Sequence, residues 1–183
     1  RGPETHPSAE ARYQAYLDVL KEYSIPIDHR IISSPRPWSE GEKSAIELLD
    51  ERKLIPGVDF EAVVAPSDYI LFWAIKHFEK RGVRIPSVVK TIGFNDSWEN
   101  KMNAVATSTV RMPITSLATT SLSLLGNMID FPSATAQNIL LPTELILRRS
   151  CGCVDSFGGK EKARREIYDW QSLRRWIGSV SES

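Results

Sequence analysis

Residues 60–65 (Phe-Glu-Ala-Val-Val-Ala) and 88–92 (Val-Val-Lys-Thr-Ile) are two short, mostly apolar runs of strand length. Between them lies one helix-length stretch whose apolar residues Leu71, Ala74, Ile75 and Phe78 fall on a single stripe. That alternation requires a parallel sheet with helices on its faces. The first run ends in Pro66-Ser67-Asp68, the second in Gly93-Phe94-Asn95-Asp96. In an open α/β sheet, ligands bind at the carboxyl ends of the strands. A polar ending repeated at that edge points to a site for a small, polar, uncharged molecule.

The flanking sequence extends the pattern. Tyr13, Tyr16, Leu17 and Leu20 at i, i+3, i+4, i+7 predict a helix over residues 8–23, with Ser8 as its cap. Residues 30–33 form a short strand candidate. Ser39-Glu40-Gly41-Glu42 has the form of a capping box and predicts a helix through about Arg52. Asp68 is the expected cap of the next helix, which Gly82 stops. After Asp96 the order changes. Residues 97–107 read as irregular, 109–112 as an extended crossing, and 114–129 as a helix with apolar rows on two adjacent lines. Residues 138–141 and 144–149 read as strands around Pro142. A hinge at 157–159 leads into a charged amphipathic helix over 160–177, with Ile167, Trp170, Leu173 and Ile177 on one side.

Bulk properties narrow the function. The 183 residues suit one domain with a normal core. Basic and acidic residues balance at 23 each, which argues against a chain dominated by phosphate contacts, while leaving room for a DNA-binding module elsewhere in a longer protein. The longest apolar run, 70–75, is far too short to span a bilayer, so no membrane partner is expected. The start, Arg1-Gly2-Pro3-Glu4, has neither a hydrophobic signal region nor an initiator Met, as expected of an excised fragment. The two cysteines, in Cys151-Gly152-Cys153, are no disulfide framework, and a reducing cytoplasmic compartment is the simplest expectation.

Few residues carry chemistry. His6, His29 and His77 are scattered and no second Cys pair exists, so no metal site is expected. Gly57, Gly82 and Gly93 stand alone, which excludes a Gly-rich phosphate loop and gives no reason to expect a cofactor. No catalytic triad or carboxylate pair stands out, so the expectation is a binding protein and not an enzyme. Arg12 offers a fixed fork of donors, or is a surface arginine. Trp38, between a strand candidate and a helix, stacks on a sugar or base, or packs on its own domain. Ser67 and Asn95 suit hydroxyl groups, although Asn95 also suits a plain turn. Asp68 and Asp96 are expected chiefly to shape their loops.

These residues resemble a known family. Gly2-Pro3, His6, Ala9, Arg12 and Tyr16 resemble the segment opening the carboxyl-terminal lobe of LacI/GalR-type transcription regulators. Val63-Val64-Ala65-Pro66-Ser67-Asp68 resembles their strand and "ND" loop. Arg81-Gly82-Val83-Arg84-Ile85-Pro86 with Ile92-Gly93-Phe94-Asn95-Asp96 resembles "RG..IP…GFDD". Thr107-Ser108-Thr109-Val110-Arg111-Met112-Pro113 resembles "LTTVRQP", and Leu141-Pro142-Thr143-Glu144-Leu145-Ile146-Leu147-Arg148-Arg149-Ser150 resembles "P.ELI.R.S". The match covers roughly residues 1–153.

The resemblance implies one lobe of a periplasmic-binding-protein-like fold, a three-layer α/β structure with a parallel sheet and helices on both faces. It implies a small-molecule effector, probed by Arg12, Trp38, Ser67 and Asn95, and output through a DNA-binding module not in this chain. Ser67 stands where the family often has Asn, and Asn95 where it often has Asp. Both departures weaken the polar contacts and bear on sugar specificity. Residues 114–142 are expected to pack on an absent lobe or on a partner chain in a homodimer, and 154–183 to form the hinge and tail helix. Three other readings remain: a sensor lobe of a larger signalling protein, an extracytoplasmic solute-binding protein, or an enzyme on an α/β scaffold, which fold alone does not exclude.

Overall fold

The computed structural model describes residues 1–133, 135 and 137–153. Its elements run α1 (Pro7–Glu22), α2 (Gly41–Ile46), β1 (Ala62–Val64), α3 (Asp68–Lys80), β2 (Lys90–Asn95), β3 (Ser108–Arg111), α4 (Ile114–Asp130) and β4 (Glu144–Ile146), with short 3-10 turns between them. The strands form one sheet in the order β1-β2-β3-β4. β1–β2 and β2–β3 are parallel, with Val64 beside Ile92 and Asn95 beside Arg111. The parallel-dominated α/β architecture is the one the strand and helix alternation requires. β4 departs from it by running antiparallel to β3, pairing Thr109 with Ile146.

Side-chain alternation sorts the helices onto the two faces. Val63 and Thr91 share the face that α3 covers. There Ile70, Leu71 and Ile75 of α3 pack with Ala65, and Ala74 and Phe78 pack with Ala45 of α2, with Val63 touching both groups. Leu54, Phe60 and Val89 continue this core. On the opposite face, the Arg12 guanidinium of α1 stacks on the Phe94 ring of β2. On that face Val64 remains 67% exposed.

Several local expectations are corrected. Residues 30–33 do not form a strand: His29–Ile31 is a 3-10 turn, and Arg52 Nη1 donates to the carbonyls of His29, Arg30 and Ile32. A guanidinium thus satisfies the acceptors that a neighbouring strand would otherwise fill. The capping box at Ser39–Glu42 is not made: a 3-10 turn, Trp38–Glu40, runs straight into α2, and Glu40 pairs with Lys43. Residues 138–141 form no strand, and Leu140 is 91% exposed. The first helix begins at Pro7 with His6 as its cap position, so Ser8 lies inside the helix and bonds to His6 Nδ1. α2 widens into a π-helical turn at Glu47–Glu51, as predicted in extent but not in winding. Helix α4 forms as its periodicity predicts, yet it has no buried residue, and Leu122, Leu125 and Ile129 of its apolar rows are exposed. The expected hinge and tail helix lie outside the described residues.

Glu47 fastens the segment before α2 to the π-turn. Its carboxylate accepts from the Ser34 amide and hydroxyl, from Arg36 at 2.8 Å, and from Arg52. Burial opposes its charge, but the Ser34 and Arg36 hydrogen bonds and the Arg52 charge outweigh burial and hold its pKa down to about 2. Because the folded pKa lies below the ordinary 4.5, this stabilisation is complete above that pH and disappears as pH falls towards 2. Urea midpoints measured across that range will fall with pH, and Glu47→Gln will flatten this part of the profile while lowering the midpoint at neutral pH.

Candidate ligand-binding site

The site is built around a buried carboxylate. Asp68, the first residue of α3, is 1% exposed and lies above Gly93 of β2. A Cβ on Gly93 would come within 2.1 Å of Asp68 Oδ1, so only glycine admits this approach. The Asp68 carboxylate accepts from the Thr109 hydroxyl at 2.8 Å, the Ser97 amide at 2.9 Å and Asn100 Nδ2 at 2.7 Å. Burial raises its pKa against these donors. The expected cap role therefore passes to the preceding residue: Ser67 Oγ accepts from the Ile70 amide at 3.2 Å and is itself buried. Asp68 instead bonds across the sheet to β3 and to the loop that follows β2.

Thr109 Oγ1 also accepts from the Asp96 amide at 3.2 Å, so one buried hydroxyl joins the two loop endings. Asp96 in turn accepts from Arg111 Nε at 2.7 Å and Arg148 Nη2 at 2.5 Å. Burial works against its charge, and the two guanidiniums outweigh it and lower its pKa. Asn95 and Asp96 both adopt positive φ, 108° and 55°. Such a backbone is unfavourable for side-chain-bearing residues and persists where its surroundings impose it. Here the Thr109 hydroxyl and the Arg111–Asp96–Arg148 clamp impose it, and Asn95 is left exposed at the edge of the sheet.

Arg12 closes over this edge from α1. Its Nη1 donates to the Pro66 carbonyl at 2.5 Å, and its guanidinium stacks 3.6 Å from the Phe94 ring centroid. Burial lowers its pKa while Asp68 opposes the change, and an arginine so placed stays charged. Trp38 is half-buried in the turn before α2. It packs against the Ala65, Ile70, Leu71 and Ile75 cluster and meets His6 edge-on at 5.2 Å. The structure thus brings Arg12, the 66–68 loop and the 94–96 turn together, with Trp38 packed beside the same end of α3. It places Ser67 and Asp68 in the interior and Asn95 at the surface. Phe94, Thr109, Arg111 and Arg148 complete the arrangement. Sequence reading did not single them out, although the alternation of β2 puts Phe94 on the face opposite Gly93.

A family model for the periplasmic binding protein-like domain matches residues 1–151. The chain belongs to this family. Among characterised relatives, it is 29% identical to the HTH-type transcriptional regulator AscG of Escherichia coli over 124 residues, which is 68% of this chain and 36% of that protein. It is 31% identical to the regulator GalR of Escherichia coli over 144 residues, 78% of this chain and 40% of the relative. The chain therefore spans well under half the length of these relatives. Of the solved structures, the AscG repressor of Escherichia coli superposes with a TM-score of 0.70 at 26% identity, over 81% of this chain and 52% of that one. A LacI family regulator of Enterococcus faecium with bound ribose gives 0.68 at 27% identity, over 81% of this chain and 54% of its own. The resemblance to LacI/GalR-type regulators and the expected fold are both confirmed. Among the described residues no helix is long and apolar enough to cross a membrane, and no cluster of His, Cys, Asp and Glu could hold a metal.

Thr109→Val keeps the shape of the side chain while leaving an Asp68 oxygen and the Asp96 amide without their buried partner. Urea unfolding should show a loss of about 2–3 kcal/mol, and Thr109→Ser, which keeps the hydroxyl, should lose clearly less.

Proposed function

We propose that this chain is the effector-sensing portion of a LacI/GalR-like transcription regulator, with a small, sugar-like polar ligand. The observation that carries the reading is the convergence of Arg12, the 66–68 loop and the strained Asn95–Asp96 turn at the carboxyl edge of parallel strands. That edge is where ligands of open α/β sheets lie. A fixed guanidinium fork and the Asn95 amide supply donors and acceptors for hydroxyl groups, and the indole of Trp38 supplies an apolar face for a sugar ring. Ser67, buried beneath this edge, contributes by capping α3 and fixing the 66–68 loop. Asp68 and Asp96 shape the loops and stay out of direct contact. The ribose held by the Enterococcus faecium relative supports the ligand class. No cofactor and no catalytic group enter this reading.

The mechanism is a shift in population between lobe arrangements, because a ligand favours whichever arrangement it contacts better. Residues 1–153 form the carboxyl-terminal lobe. The apolar rows of α4, within the segment 114–142, pack on the remaining lobe or on a second copy in a homodimer. DNA is reached through a module outside this chain, in the cytoplasm, as the relatives' description as HTH-type regulators supports.

Calorimetry on the full-length protein with a panel of pentoses, hexoses and disaccharides tests the reading. One class will bind, and Arg12→Ala and Trp38→Ala will each weaken it at least about tenfold, as expected for losing a charge-assisted bond or a stacking face. Binding unchanged by both substitutions places the ligand elsewhere.

A further inference from the structure

The Cys151-Gly152-Cys153 turn has no part in the ligand site, and its geometry brings two thiols together. Cys151 ends the 3-10 turn Arg149–Cys151, and Gly152 then takes the left-handed backbone at φ 70°. A Cβ on Gly152 would meet only ordinary contacts, at 3.7 Å from Pro86, so it is this backbone conformation that favours glycine here. The reversal folds Cys153 back over Cys151: the Cys153 amide donates to Cys151 Sγ at 3.2 Å, and Cys153 Sγ donates to the Cys151 carbonyl at 3.5 Å. Both residues are partly exposed, and among the described residues no third group joins them as a metal site.

We propose that Cys151 and Cys153 are a redox-active dithiol, oxidised by hydroperoxides to an intramolecular disulfide, with Cys151 as the attacking sulfur and Cys153 as the resolving one. The Cys153 amide bond to Cys151 Sγ favours negative charge on that sulfur and gives Cys151 the attacking role, and the electrostatics agree. The Cys153 thiol, against the effect of burial and helped by the Ser108 hydroxyl and the Cys153 amide, lowers the Cys151 pKa to about 6. Cys153 is pushed up by its bond to Cys151 and by burial, and keeps its proton. The lowered pKa makes Cys151 the more acidic of the two thiols, and the thiolate is the form that attacks.

In the first step the Cys151 thiolate attacks the outer oxygen of a hydroperoxide. The O–O bond breaks, the alcohol or water leaves after taking up a proton, and Cys151 becomes a sulfenic acid. The Cys153 sulfur then attacks the Cys151 sulfur and displaces its hydroxyl, which leaves as water with the proton Cys153 gives up. The two sulfurs have lost two electrons, and the hydroperoxide has gained them.

The test uses the reduced 183-residue chain, in which these are the only cysteines. After exposure to one equivalent of hydrogen peroxide at pH 7, the chain should weigh two hydrogens less, resist alkylation at both positions, and recover both sites with dithiothreitol. In Cys153→Ser, oxidation should stop at a sulfenic acid on Cys151 that dimedone captures. In the reduced wild type, Cys151 should alkylate about tenfold faster than Cys153. The proposal is overturned if both thiols of the treated chain remain alkylatable, if oxidation gives disulfide-linked dimers or a sulfinic acid in place of the internal bond, or if Cys153 proves the faster thiol.

Discussion

One buried hydroxyl joins the two loop endings at the carboxyl edge of the sheet. Thr109 donates to Asp68 and accepts from the Asp96 amide, so β3 fixes both the start of α3 and the turn after β2. Neither loop ending stands by itself. Asp68 holds the Ser97 amide and Asn100, and its position requires the missing side chain of Gly93. A carboxylate this deeply buried is tolerated because each oxygen has a partner; removing one donor leaves a charge in the interior without compensation. The fully buried Thr109 is thus central to the shape of the surface above it.

The two aspartates follow opposite courses from similar sequence settings. Asp68 lies among neutral donors, and burial raises its pKa. Asp96 lies between Arg111 and Arg148, and its pKa falls. Asp96 is therefore an anchored charge that ties the edge of β2 to β3 and to the segment after β4. The strained backbone at Asn95 and Asp96 rests on that anchor. Asn95 is presented at the edge because its neighbour is held from two sides. Arg12 covers the same edge with its guanidinium oriented by Pro66 and Phe94.

Much of this arrangement could be read from the chain alone, and the failures have physical causes. α3 and α4 were legible because their apolar residues recur with helical period, and β1 and β2 because short β-branched runs end in turn residues. Ser67 and Asp68 are both good cap residues, and local sequence does not say which one the orphan amides reach. The choice is made by Thr109, 41 residues further along, which draws Asp68 inward. Ile31 and Ile32 have strand character, but Arg52 takes the carbonyls that a strand partner would need. The direction of β4 was likewise invisible, since a short apolar run reads the same whichever way it pairs. Ser67 and Asn95 drew notice because polar residues after strands are conspicuous, and the structure brings Arg12 of α1 to the same edge. Phe94 and Arg148 were missed because an aromatic in a strand and an arginine after one ordinarily read as core and surface.

The most direct measurement is a structure of the full-length protein with its bound ligand. The ligand should lie over the carboxyl ends of β1 and β2, within hydrogen-bond distance of the Arg12 guanidinium and the Asn95 side chain, with the Asp68–Thr109–Asp96 bonds unchanged beneath it. A ligand bound away from this edge, or one at this edge that touches neither Arg12 nor Asn95, would contradict the assignment.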